Sequence, residues 1–241
     1  MSDVIAIMGK SGNGKTRSIV GLDPASTYLI QVIRKRLPFK DGEQQYILST
    51  KEKRGNRKII FDRPVSPTIY SDDKKLFYNK YEDLNKALVG ISENLPHIKT
   101  IVIDDSQYLM SYEFIARSKE TGKQGYDKYN DIGANFMSLF TTASSLRDDI
   151  IVVLLHHCQD DGETIKLKTV GQLIDNYVTL DGVFDTLLYA ESRKSNGKVE
   201  YYFTTQTDGK TTAKSAENLF NTEEPNDLGV ITDKYRKYFN L

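Results

Sequence analysis

Cysteine, net charge and long apolar runs are all scarce in this chain, and each scarcity excludes something. Cys158 is the only cysteine, so no disulfide can form within the chain, which suits a reducing compartment. The formal net charge is zero, so no overall field advertises a nucleic-acid or membrane partner. Any such partner has to be met by a local patch. The longest aliphatic stretch, residues 150–155, is far shorter than the ~20 residues a membrane-spanning helix needs. The first apolar run begins almost at the initiator and leaves no room for a signal peptide, so a cytoplasmic protein without a membrane partner is expected. Repeats, low-complexity segments and convincing linkers are lacking too.

What is present fits one α/β domain over residues 1–241. The hydrophobic share, 39%, can fill a sizeable core, and the 27% of charged residues can cover it. The most informative stretch is Gly9-Lys10-Ser11-Gly12-Asn13-Gly14-Lys15-Thr16, a full match to the phosphate-binding loop pattern. It follows Val4-Ile5-Ala6-Ile7-Met8, which reads as a short buried strand. Glycines let the backbone curl so that its N–H groups face phosphate oxygens, and a following helix adds its positive end. Lys15 is expected to reach the β- and γ-phosphates and the Thr16 hydroxyl to bind Mg²⁺. A nucleoside-triphosphate binder is predicted, with ATP and Mg²⁺ as its ligands.

Further along, Asp23-Pro24 predicts that the helix after the loop stops near Leu22. Residues 27–33 read as a second strand. From about 38 to 70 the chain is polar, and we expect a hairpin-like excursion with a basic tip at residues 51–57. Leu84, Ala87, Leu88, Ile91 and Leu95 recur at helical spacing. Helices are predicted over about 106–119 and 129–147, with a polar loop at 121–128 between them. Residues 150–155, all aliphatic, read as a parallel strand covered on both faces. Segments 183–190 and 199–205 are predicted to pair as a hairpin across Ser195-Asn196-Gly197.

A second metal motif is Ile101-Val102-Ile103-Asp104-Asp105. It puts Asp104 at a strand end, where it can hold Mg²⁺, and Asp105 beside it, where it can orient a water for attack on the γ-phosphate or merely cap the next helix. Glu113 is a weaker candidate for that water. The strand at 150–155 ends in His156-His157, polar side chains expected beside the γ-phosphate. The interval between the two nucleotide motifs, with a strand and helix inside it, suits additional-strand ATPases, in which another strand separates the two in the sheet.

The loop at 9–16, Leu37-Pro38-Phe39, residues 101–108, Val153-Leu154-Leu155-His156-His157, residues 184–190 and Thr212-Ala213-Lys214-Ser215 together resemble the bacteriophage RecA-like ATPases of single-strand annealing and recombination. The resemblance implies a RecA-like core with a mainly parallel central sheet and β-hairpin additions. It also implies ATP and Mg²⁺ binding, action on single-stranded DNA, and assembly into rings or filaments. In such assemblies a cation from the next subunit completes the site, and motif position points to Lys214. Asp104-Asp105-Ser106-Gln107-Tyr108 is also similar to the Asp-Asp-Ile-Gln-Phe run of helicase-loader ATPases, which supports Asp105 as the catalytic carboxylate.

Single-strand binders need a cationic track with aromatic faces. Residues 51–58, 119–128 and 164–169 each offer part of one; as charge runs, each also reads as a plain solvated face. Phage or host replication and recombination proteins are further expected partners. Two other readings stay open. A nucleotide or small-molecule kinase would transfer phosphate to an acceptor without responding to DNA. A helicase-loader-like, ATP-gated adaptor would hydrolyse slowly.

Overall fold

In the computed structural model, residues 1–33, 35–48, 57–60, 74–171, 174–175 and 178–241 are described; for 47–48, 57–60 and 74–80 this means the backbone alone. The strands are β1 (Asp3–Gly9), β2 (Thr27–Gln31), β3 (Ile47–Leu48), β4 (Arg57–Ile60), β5 (Thr100–Asp104), β6 (Ile151–Asp160), β7 (Ile165–Leu167), β8 (Thr186–Ser195), β9 (Lys198–Thr204) and β10 (Glu223–Pro225). The helices are α1 (Gly42–Gln45), α2 (Lys74–Asn94), α3 (Gln107–Ala116), α4 (Gly122–Ser144), α5 (Leu180–Val183) and α6 (Leu228–Phe239).

One sheet runs in the order β10-β9-β8-β1-β6-β5-β2-β4-β3, with β7 attached to β6. From β8 to β3 every pairing is parallel, while β9, β10 and β7 are added antiparallel. β6 lies between β1 and β5, so the two nucleotide motifs sit on strands separated by one other, as the additional-strand reading requires.

Alternation sorts the strand side chains onto two faces. Val4, Ala6 and Met8 of β1 join Ile101 and Ile103 of β5 and Val152 and Leu154 of β6 in a core covered by α2, α3 and α4. Ile5 and Ile7 join Val102, Val153 and Leu155 in a core on the opposite face, covered by Ile19, Leu37, Tyr46 and α6. Central strands buried on both faces read as continuous apolar runs, which is why they were legible.

Two expectations need correction. β3 and β4 pair in parallel, so among the described residues of the excursion at about 38–70 these two strands do not form the expected hairpin. Of its basic tip, residues 51–56 lie outside the described residues. The helix predicted from 129 begins at Gly122, and the supposed loop at 121–128 is its first part. Gly122 and Gly125 read as loop signals, but Lys128 is buried, its ammonium 4.7 Å from the Phe114 ring centroid and 5.2 Å from that of Tyr129. Tertiary packing overrides the local propensity there. The hairpin of β8 and β9 is as expected: Asn196 and Gly197, at φ 51° and 75°, make the two-residue turn whose twist matches the flanking strands.

Candidate nucleotide site

The loop at 9–16 leaves the C-terminal end of β1 and curls back over it. Gly12 and Gly14 take φ of 86° and 82°, values that L side chains rarely adopt. Lys15 is buried, and its Nζ donates to the carbonyls of Gly9 at 2.6 Å and Lys10 at 3.0 Å, so the ammonium is held against the loop. Burial lowers its pKa, opposed by the charge of Asp105. Asn13 Nδ2 ties the loop to the carbonyl of Ala190 on β8 at 3.0 Å, and Lys10 pairs with Asp160 of β6 at 2.8 Å.

The segment after the loop is a six-residue 3-10 helix, Thr16–Gly21, rather than an α-helix. Ser18 N is shared between the carbonyls of Gly14 and Lys15, as in a tightened first turn. Leu22 is already extended at ψ 144°, and Asp23, preceding Pro24, is disfavoured from continuing the helix. So short an element adds little dipole, and the N–H groups of the loop have to carry the anion binding.

Thr16 Oγ1 donates to Asp104 at 3.0 Å to Oδ1 and 3.2 Å to Oδ2. The two motifs, 88 positions apart, therefore meet in one place. Asp104 is buried, and burial together with the adjacent Asp105 raises its pKa. A buried carboxylate with an elevated pKa is one that a cation would stabilise. Gln31, level with Asp104 on β2, is fully buried, and its side chain acts on the Asp104 carboxylate, opposing the rise in its pKa. These residues fit a hydrated magnesium ion held by Thr16 and Asp104.

Asp105 takes φ 61°, a left-handed conformation uncommon outside glycine. It does not cap α3: the N-cap is Ser106, with no side-chain cap bond. Its Oδ2 instead lies 2.6 Å from Lys35 Nζ and its Oδ1 3.4 Å from His157 Nε2. Burial pushes Asp105 up, but His157 and Lys35 outweigh it and leave the carboxylate below its ordinary range. Lys35 follows β2 and was missed in the sequence, where it was one cation in a basic triplet.

His157 and His156 part company. His157 is level with Gly9 and shares its sheet face with Asp104 and Gln31, and its Nε2 is turned to Asp105. His156 points to the other face and is corrected as a phosphate-side residue. It is buried edge-on to Phe136, with Nδ1 2.8 Å from Ser106 Oγ and Nε2 2.8 Å from the Lys168 carbonyl. A carbonyl only accepts, so Nε2 carries the proton and Nδ1 accepts from the serine.

Glu113 is fully buried, bonded by Arg117 at 3.2 Å and Asn135 at 3.0 Å, and serves the α3–α4 packing. Lys214 bridges Leu187 of β8, which is level with Ala6 of β1, well before the loop. In the 164–169 segment, residues 165–167 form β7, and Lys166 pairs with Asp175 at 3.1 Å. At the outer end of the phosphate loop the Arg17 guanidinium lies 5.3 Å from the Tyr201 ring centroid and 3.4 Å from Asn226 Oδ1. A Cβ on Gly14 would come within 2.8 Å of Tyr201 and 3.0 Å of Asn226.

A glycine cradle with its lysine, a threonine facing a strand-end aspartate, and an intervening strand define a P-loop ATPase with the RecA-like, additional-strand core. A profile of the AAA domain family matches residues 2–216, and the chain belongs to that family. Among solved structures it is similar to the flagellar accessory protein FlaH from Methanocaldococcus jannaschii, at 14% identity and a TM-score of 0.44, covering 94% of this chain and 87% of that one. It is also similar to the KaiC-like protein PH0186 from Pyrococcus horikoshii OT3, at 12% identity and a TM-score of 0.47, covering 92% and 84%. No curated protein sequence matches. Among the described residues, no helix is long and apolar enough to cross a membrane.

Proposed function

We propose that this protein is a magnesium-dependent ATPase that acts on single-stranded DNA in phage recombination, annealing or replication, working as a ring or filament. The observation that carries the ATPase reading is the 3.0 Å contact of Thr16 with Asp104, which puts both nucleotide motifs in one site. The loop N–H groups and Lys15 would bind the phosphates. Mg²⁺ on Thr16 and Asp104 would supply charge neutralisation at the phosphate oxygens. Asp105 would orient the attacking water, and the Arg17–Tyr201 pair offers a flat face near the loop's outer end for the base.

The DNA reading is supported by the motif resemblance and by exposed groups at the start of α4, where Lys119, Lys123 and a 67% exposed Tyr126 face solvent. One observation favours the slow, ATP-gated adaptor as second reading: the Asp105 carboxylate is clasped by Lys35.

The deciding experiment is ATP turnover with and without a single-stranded oligonucleotide, in the wild type and in Lys15→Ala. Turnover that rises with the strand and falls at least ~100-fold in the variant is expected. Strand affinity should lose roughly one logarithmic unit per tenfold salt for each phosphate neutralised. Turnover only with a small-molecule acceptor would make the protein a kinase, and binding without turnover an adaptor.

A further inference from the structure

An open groove of about 580 Å³ runs between α2 and α4, and none of its lining residues belongs to the nucleotide site. Its α2 wall runs from Tyr81 to Glu93, which at 1.5 Å per residue is about 18 Å.

The groove offers oxygens. Asn85 Nδ2 donates to Ser138 Oγ at 3.2 Å, and that hydroxyl gives its own proton to the Asn135 carbonyl at 3.0 Å. The serine oxygen can therefore only accept from Asn85, which fixes the amide and leaves Oδ1 as its remaining group. Asn135 is fixed likewise. Its Nδ2 faces both oxygens of the Glu113 carboxylate, at 3.0 and 3.1 Å, so its own Oδ1 is what remains. Among the described residues, neither Asn85 Oδ1 nor the hydroxyl of Tyr81, a residue only 3% exposed, has a hydrogen-bond partner. Burial, with the Glu113 charge behind it, raises the Tyr81 pKa and keeps the phenol neutral. A buried oxygen without a donor costs free energy that an entering donor recovers. Both oxygens are covered by the groove lining, so a group has to enter the groove to meet them.

The rim is acidic. Glu82 near one end is paired with Lys86 at 2.6 Å, whereas Glu93 at the other end is exposed and in no ion pair among the described residues. Val89, 38% exposed, lies on the same wall between them. Acceptor oxygens, a rim carboxylate and an apolar step match a guanidinium on an aliphatic stem. Its planar fork meets several oxygens at once, it sheds water more readily than an ammonium, and its stem can lie on Val89. Sites for small metabolites enclose most of the ligand. This groove is open along its length and suits a side chain presented by another chain.

We propose that the groove is a docking site for a partner protein that inserts an arginine side chain between α2 and α4, its guanidinium facing Asn85, Asn135 and Tyr81 and its charge met by Glu93.

The test is a titration of the full chain with a capped Ala-Ala-Arg-Ala-Ala peptide, followed through the side-chain amide NMR signals of Asn85 and Asn135. Lysine and citrulline counterparts of the peptide, and free argininamide, are the comparisons. The arginine peptide should shift both signals with a Kd of about 1 mM, and each comparison should bind at least about threefold more weakly. Tyr81→Phe should weaken the peptide about tenfold without lowering the melting temperature, because the hydroxyl it removes has no partner. The exposed Glu93→Gln, which leaves the core untouched, should weaken it about threefold at low salt. No shift with the arginine peptide, equal binding of the citrulline peptide, or indifference to both substitutions overturns the site. Argininamide binding as tightly as the peptide overturns the partner protein and makes the groove a small-cation site.

Discussion

At the scale of single residues, two adjacent histidines show how one step along a strand changes chemistry. His157 shares a face with the phosphate loop, whereas His156 is sealed among Phe136, Ser106 and the Lys168 carbonyl. Burial pulls the pKa of His156 down to about 4 from 6.5, partly opposed by the Lys168 carbonyl. A group whose folded pKa is depressed keeps its stabilising effect above the unfolded pKa and loses it as pH falls. The unfolded chain takes up a proton near pH 6.5 that the folded chain accepts only near 4. His156 alone should therefore cost on the order of 3 kcal/mol of stability across that window. His156→Gln keeps a side chain able to hydrogen-bond but does not titrate, so its urea midpoint should fall less steeply with acidification than the wild type's. Parallel slopes would show that some other group governs the acid limb.

At the scale of elements, the seam between the 3-10 helix and α6 fixes where Thr16 and Arg17 sit. Asp227 caps α6 by accepting from the N–H groups of Gly229 at 2.8 Å and Val230 at 3.2 Å. A Cβ on Gly21 would come within 1.7 Å of that carboxylate, and one on Gly229 within 2.2 Å of the Gly21 carbonyl. The first clash can be relieved by moving a side chain at the loss of a cap, which costs about 1 kcal/mol. The second meets backbone and should cost more, about 2–3 kcal/mol. Thermal unfolding should rank Gly229→Ala below Gly21→Ala. Both should weaken Mg²⁺-dependent nucleotide binding through the shifted Thr16; equal melting temperatures for the two would refute the ranking. This helix was available in the sequence through Asp227 and the spacing of Leu228, Ile231 and Tyr235, but it went unread. The early start of α4 was not available, because Gly122 and Gly125 argue for a loop and only packing of Lys128 on Phe114 and Tyr129 argues otherwise. The strands were easier, since continuous apolar runs have few other uses. The same limit applies to the site. Asp104 and Thr16 were legible because both belong to local patterns, whereas Lys35 finds Asp105 across 70 positions and no local pattern announces it.

At the scale of the whole molecule, the sheet sets which cations a site can use. Lys214 bridges Leu187, level with Ala6, while the loop begins at Gly9, level with Ala190. The backbone of Lys214 thus lies about 10 Å along the strand direction from the start of its own loop. If this lysine completes a nucleotide site, the site belongs to a neighbouring copy in an assembly, and the consequence is testable by mixing. Lys214→Ala alone should bind nucleotide normally but lose concentration-dependent turnover, whereas Lys15→Ala should lose turnover by failing to bind. Together they hold one intact loop and one intact lysine on different subunits. A mixture should regain part of the wild-type rate, because Lys15→Ala subunits supply Lys214 to the loops of their neighbours. Unchanged turnover per subunit in Lys214→Ala, or a mixture no better than its components, would remove the lysine from catalysis and leave each site to its own chain.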